Sequence, residues 1–167
     1  EQKQIEIMVC TVLQNNNLDE LLQKLDLCWM AEIRLDSCKL SLDDIDELFS
    51  TAEIPLVATC RLSEVAKSHP EMSEIAVAKL CEQRLSKAIE AGANFVDLEI
   101  EAPKEMLKRI KKACQENGAL LIRSFHDFRG TDSPEALKAV VEKCVYHGAD
   151  IVKIATTAHS EADAQTV

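Results

Sequence analysis

Ala119-Leu120-Leu121-Ile122-Arg123-Ser124-Phe125 is followed by Ser133-Pro134, then by Gly148, then by Ile151-Val152-Lys153-Ile154-Ala155. Two apolar runs of strand length bracket a segment that a capping serine and a first-turn proline open and a glycine closes. A strand, a helix and a second strand in that order predict parallel pairing of the two strands. The same unit repeats in both directions along the chain. Strands are predicted at Ile5–Cys10, Trp29–Leu35, Leu56–Cys60, Phe95–Ile100, Ala119–Phe125 and Ile151–Ala155. They are rich in Ile, Val and Leu, as strands covered on both faces must be. Between them, Ser41-Leu42-Asp43-Asp44 opens a helix through Phe49, a long helical pattern runs from about Ser73 to Gly92, and Pro103 and Gly118 bracket another.

Six strand–helix units are countable, and the sixth helix has barely begun at Ser160. A closed eight-fold barrel needs ~250 residues, with roughly 200 as a lower bound. The pattern therefore predicts an α/β fold of one of two kinds: an open doubly wound sheet, or a (β/α)8 TIM barrel. A stop inside a nascent helix favours the barrel. Residues 1–167 are then expected to form a single partial barrel domain of about six β/α units, with the C-terminal strands missing.

Composition narrows the partners. A formal charge of -10 argues against nucleic acid and anionic membranes. No apolar stretch has membrane-spanning length, and Glu1-Gln2-Lys3-Gln4 lacks the apolar core of a secretory signal. Seven cysteines with no C-x-x-C pair read as reduced thiols of a cytoplasmic protein. No spacing of His, Cys and carboxylates suggests a metal site.

Lys153 lies inside an apolar run. Desolvation penalises the ammonium, which predicts a lowered pKa and a neutral amine able to form a Schiff base with a ketone or aldehyde. A strand-edge lysine snorkelling to water would look the same. Its company tips the balance. In a parallel barrel the C-terminal strand ends build the active site. Here Glu32, Arg34 and Asp36 alternate on one strand, Arg61 follows another, and His126-Asp127 end a third. A lysine for imine formation, a histidine for proton transfer near neutral pH and arginines for carboxylate or hydroxyl groups suit a small, anionic, oxygen-rich carbonyl compound. Glu32 with Arg34 could instead be a structural ion pair, and Arg61 could pair with a loop carboxylate. Asp97 and Glu99 also alternate, and read as scaffold. His69, His147 and His159 carry no such context.

Glu32-Ile33-Arg34-Leu35-Asp36, Thr59-Cys60-Arg61, Asp97-Leu98-Glu99, Ser124-Phe125-His126-Asp127-Phe128 and Val152-Lys153-Ile154-Ala155 together resemble the type I 3-dehydroquinate dehydratases, in the family's order and over essentially the whole chain. The resemblance implies a commonly dimeric (β/α)8 barrel that needs neither metal nor organic cofactor. It implies that Lys153 forms a Schiff base with the C3 ketone of 3-dehydroquinate. His126 would remove a C2 proton, then protonate the departing C1 hydroxyl and assist imine hydrolysis to 3-dehydroshikimate. Glu32, Arg34 and Arg61 match substrate-binding positions, Phe128 an aromatic beside the site, and Cys10 lies near a serine that touches substrate.

Two departures stand out. The family carries a glutamate, often followed by glycines, a few residues after the arginine matched by Arg61, and it orients the histidine. Here the segment is Arg61-Leu62-Ser63-Glu64-Val65, which makes Glu64 the orienting candidate, displaced by one residue. The family's last two strands also supply an arginine, and a serine and glutamine on a closing loop, which these residues do not include. The 167 residues alone are therefore expected to bind substrate poorly. The competing functions are a class I Schiff-base aldolase, disfavoured by only four glycines with which to cradle phosphate, and a non-catalytic barrel domain. A parent chain fused to a shikimate dehydrogenase would carry a dinucleotide-binding glycine motif downstream.

Overall fold

The structure, a computed structural model, describes residues 9–166. The elements run β1 (Cys10–Leu13), α1 (Leu18–Leu25), β2 (Met30–Arg34), α2 (Leu42–Thr51), β3 (Leu56–Thr59), α3 (Leu62–Ser68), α4 (Glu74–Glu90), β4 (Phe95–Glu99), α5 (Lys104–Asn117), β5 (Leu120–Asp127), α6 (Pro134–Tyr146), β6 (Ile151–Thr156) and α7 (Glu161–Thr166). The strands pair in sequence order, each parallel to the next.

One distance separates a barrel from an open sheet. Strands four steps apart in a flat sheet lie ~19 Å apart, at ~4.8 Å per step. Yet Nζ of Lys153 on β6 is 2.9 Å from Oε2 of Glu32 on β2. The sheet must curl, and the six units are those of a partial (β/α)8 barrel.

Register sorts the side chains. Partners in parallel strands share a face, and the face alternates with every residue. Val12 pairs with Glu32, Arg34 with Thr59, Thr59 with Asp97, Glu99 with Ser124, Ser124 with Lys153 and His126 with Ala155. All these side chains therefore point to one side, the barrel interior. The opposite parity, Ala31, Ile33, Ala58, Val96, Leu98 and Leu121, packs under the helices with Leu21, Ile45, Leu48, Leu85, Ile89 and Ile110 as a buried core.

Helix ends follow local chemistry where the sequence announces it. Ser41 and Asp44 form the predicted reciprocal capping box at α2. Gly118 closes α5 at φ 76°, a left-handed conformation in which a Cβ is strained. Two helices escape the sequence pattern. At α1, Asn17 and Glu20 make a capping box that the pattern of strands obscures. At α3 no side chain of its own N-terminus caps the helix. The Leu62 N–H instead donates to Glu99 Oε2 at 3.0 Å, a cap supplied by β4. The strand predicted at Ile5–Cys10 lies mostly outside the described residues, and the first described strand starts at Cys10. Among the described residues no helix is long and apolar enough to cross a membrane.

Candidate active site

The interior face opens at the strand C-termini into a cleft of ≈ 720 Å³ whose walls include Val12, Glu32, Arg34, Arg61, Glu99, His126, Phe128 and Lys153. A larger groove of ≈ 860 Å³ between α4 and α5, lined by Ile75, Glu82 and Arg109 among others, offers no histidine or thiol.

Asp97 is the hub of the cleft floor. It is 1% exposed, and its carboxylate accepts from Arg61 Nη1 at 2.9 Å and Nη2 at 2.8 Å, from Lys153 Nζ at 3.1 Å and from the Ser124 hydroxyl. Burial alone would raise its pKa, but the Arg61 guanidinium, then Lys153 and Ser124, hold it below the usual carboxylate value. Sequence reading assigned Asp97 to the scaffold, whereas it touches the lysine. The legible signal was its alternation with Glu99, the same pattern that marked Glu32 and Arg34. Ser124, the first residue of Ser124-Phe125-His126-Asp127-Phe128, joins the hub by accepting from Arg61 at 2.8 Å.

Lys153 has Glu32 Oε2 at 2.9 Å and Asp97 Oδ2 at 3.1 Å, and its side chain is 36% exposed. The expectation of a neutral resting amine is overturned by these neighbours. Burial pulls the pKa down, but Asp97 and Glu32 together outweigh it and raise it above the ordinary lysine value. At rest the group is an ammonium.

His126 behaves oppositely. Burial lowers its pKa, the Arg61 charge lowers it further, and Asp97 opposes only in part. The imidazole is neutral near pH 7 and able to accept a proton. Its ring lies 5.9 Å from that of Phe128, which is 75% exposed at the cleft mouth. Burial also holds the Glu99 carboxyl above its usual value, against the Leu62 N–H and Arg61.

The arginines are not paired as the alternatives had it. Arg34 forks onto Asp36 through Nε at 3.0 Å and Nη2 at 2.8 Å, with no partner for Nη1 among the described residues, and Glu32 pairs with Lys153 rather than with Arg34. The Arg61 guanidinium meets a strand carboxylate, Asp97, while its backbone N–H donates to Asp36 in the turn after β2 at 3.0 Å. Cys10 lies at the β1 edge on the parity of Val12. Its thiol is pushed up by burial and then by Glu32, with Lys153 opposing, and Val12, two residues on along the same face, lines the cleft.

Glu64 lines the cleft along with His126 but makes no hydrogen bond to it; its carboxylate pairs with Lys67, three residues on along α3, at 2.7 Å. Among the described residues no side chain hydrogen-bonds the His126 ring. Glu64→Gln is accordingly expected to shift stability by no more than about 0.5 kcal/mol and to leave the pH dependence of activity unmoved. A displaced acid limb in the pH–rate profile would restore Glu64 as the orienting group.

Among the described residues no cluster of His, Cys, Asp and Glu is arranged to hold a metal ion, and all seven cysteines are free thiols.

Fold and site define a parallel β/α barrel with a lysine clamped between carboxylates at the strand C-termini, one strand away from a neutral histidine. The family model described as type I 3-dehydroquinase matches residues 9–167. The chain belongs to the type I 3-dehydroquinase family. It is 32% identical over 134 residues to a 3-dehydroquinate dehydratase of Desulfotalea psychrophila, covering 80% of this chain and 56% of that one. It is 34% identical over 142 residues to a 3-dehydroquinate dehydratase of Methanothrix thermoacetophila, covering 83% and 55%. The crystal structure of the 3-dehydroquinate dehydratase from Aquifex aeolicus shares the fold at a TM-score of 0.72 and 22% identity, over 96% of this chain and 72% of that one. The chain thus spans a little over half the length of the two curated relatives.

Proposed function

We propose that the protein dehydrates 3-dehydroquinate to 3-dehydroshikimate through a Schiff base on Lys153. The observation that carries this is Lys153 Nζ, held at 2.9 and 3.1 Å from two carboxylates in a cleft that also holds a neutral His126; family membership supplies the substrate. An iminium at C3 withdraws electrons from C2. His126, on the neighbouring strand, accepts the C2 proton to leave an enamine. The enamine pair expels the C1 hydroxyl as His126 returns the proton, and water hydrolyses the imine. Glu32, Arg34 Nη1 and the Arg61 guanidinium edge are assigned to substrate oxygens, Phe128 to the cleft mouth and Cys10 to the far wall. A cytoplasmic homodimer belongs to the same reading, supported by the reduced thiols and by the family resemblance.

The test is borohydride trapping of the full-length protein with 3-dehydroquinate, followed by intact mass and peptide mapping. An adduct on Lys153 supports the reading. No adduct on the full-length wild type sinks it and leaves a non-catalytic barrel.

The pH dependence has a definite sign. Protonated His126 cannot accept a proton, and its pKa is depressed in the fold. The kcat/KM profile is expected to fall on acidification with a limb centred below the ordinary histidine value of ~6.5. A limb above pH 7 would contradict the assigned base.

A further inference from the structure

Imine formation begins with a difficulty: the lysine that must attack a carbonyl rests as an ammonium, and an ammonium has no lone pair. We propose that Glu32 is the catalytic base that takes the proton from Lys153 as the carbonyl substrate binds, and the acid that returns it when water leaves. This rests on the reading of Lys153 as the imine-forming residue.

Among the described residues the charged and titratable groups that share the cleft or interact with Lys153 are Glu32 and Arg34 from β2, Arg61 and Glu64 after β3, Asp97 and Glu99 from β4, Glu101 after β4, His126 from β5 and Cys10 from β1. Two of them accept hydrogen bonds from Nζ, and their other partners set them apart. Asp97 receives both arms of the Arg61 fork and the Ser124 hydroxyl besides the lysine. A proton on Asp97 would break that fork and strand a buried guanidinium. Among the described residues Glu32 Oε2 receives only Lys153, and its Oε1 is 4.0 Å from Arg61, beyond hydrogen-bond range. A proton on Glu32 therefore costs one bond, the bond along which it travels. Asp97 stays an anion throughout, and Glu32 is the carboxylate that can change state. His126 makes no hydrogen bond to Nζ and so is not placed to take the ammonium proton directly.

The step balances without an outside reagent. Glu32 Oε2 accepts one proton from Nζ. The freed lone pair bonds to the carbonyl carbon while the C=O π pair moves to oxygen, and a second nitrogen proton passes to that oxygen to give a carbinolamine. Glu32 then returns its proton to the hydroxyl, the C–O bond breaks, and water departs as nitrogen forms the iminium. The site begins with an ammonium and ends with an iminium, so both carboxylates face one positive charge at the start and at the end.

The test measures the rate of Lys153 adduct formation against pH in the full-length protein, using cyanoborohydride to trap the iminium with 3-dehydroquinate and, separately, with propionaldehyde. A base role and an anchoring role predict opposite signs. If Glu32 only anchored the ammonium, Glu32→Gln would release the proton more easily and speed adduct formation at pH 7. As the base, its loss is expected to slow the reaction by about 100-fold or more at pH 7. The deficit should close as hydroxide takes over at high pH. Glu32→Asp should react faster than Glu32→Gln, and added acetate should accelerate Glu32→Ala, neither of which follows from a damaged fold. A Glu32→Gln rate at or above wild type at pH 7, or a Glu32→Asp no faster than Glu32→Gln at any pH, overturns the proposal. Propionaldehyde needs none of the dehydroquinate contacts. A Glu32-dependent propionaldehyde adduct without a 3-dehydroquinate adduct would sink the substrate assignment alone, and adducts with both that ignore Glu32 would sink the base alone.

Discussion

Lys153→Met is expected to lower kcat of the full-length protein by about 10⁴- to 10⁶-fold, the range seen when a covalent nucleophile is removed, and to abolish the borohydride adduct. The reason is geometric. Among the described residues no second lysine lines the cleft, so in the proposed mechanism no other amine could supply the imine that acts as electron sink for the C2 carbanion. Methionine keeps the length of the stem but leaves Glu32 without its hydrogen-bond partner and Asp97 with one fewer. Unfolding of the variant separates this local cost from the chemical one. Retention of more than about one-hundredth of wild-type kcat by a folded Lys153→Met protein would exclude covalent catalysis as the main route.

Asp97→Ala is expected to destabilise the protein by about 3–5 kcal/mol, because it removes one partner of a buried pair and leaves the other charged. Arg61 would keep a guanidinium whose side chain is 9% exposed, with Glu32 and Glu99 at 4.0 and 3.9 Å as its remaining carboxylates. A typical domain has 5–15 kcal/mol in total, so the midpoint of urea unfolding should fall steeply. The same carboxylate makes stability pH-dependent. Its pKa is depressed in the fold, so its contribution is complete above the unfolded value of ~3.9 and is lost as pH falls through the folded one. Removal of Asp97 should flatten that acid limb of the stability curve. An Asp97→Ala midpoint close to wild type would mean that Arg61 finds a new partner and that the hub is dispensable.

Lys153 and Glu32 are 121 residues apart in sequence and 2.9 Å apart in space, and that contrast divides what could be read from what could not. Apolar runs rich in Ile, Val and Leu marked the five strands from β2 to β6 to within two residues of their ends, since each strand's burial is recorded in its own side chains. Capping chemistry marked α2, α4, α5 and α6 for the same reason. It failed at α3, whose first N–H is satisfied by Glu99 from another strand. Alternation also exposed most of the cleft, because one parity of every strand faces it. The same rule makes Asp97 visible, but alternation alone does not tell a cleft carboxylate from a scaffold one.

By itself, the order of residues determined the parallel β/α architecture, the parity that turns Glu32, Asp97, His126 and Lys153 inward, and the family. Those properties are local, or sums of local ones. Only the tertiary structure decided the charge on Lys153, the different hydrogen-bond partners of Asp97 and Glu32, and the pairing of Glu64 with Lys67. A pKa depends on distances between groups that the chain keeps far apart until the sheet curls, and on which of those groups have already been claimed by another partner.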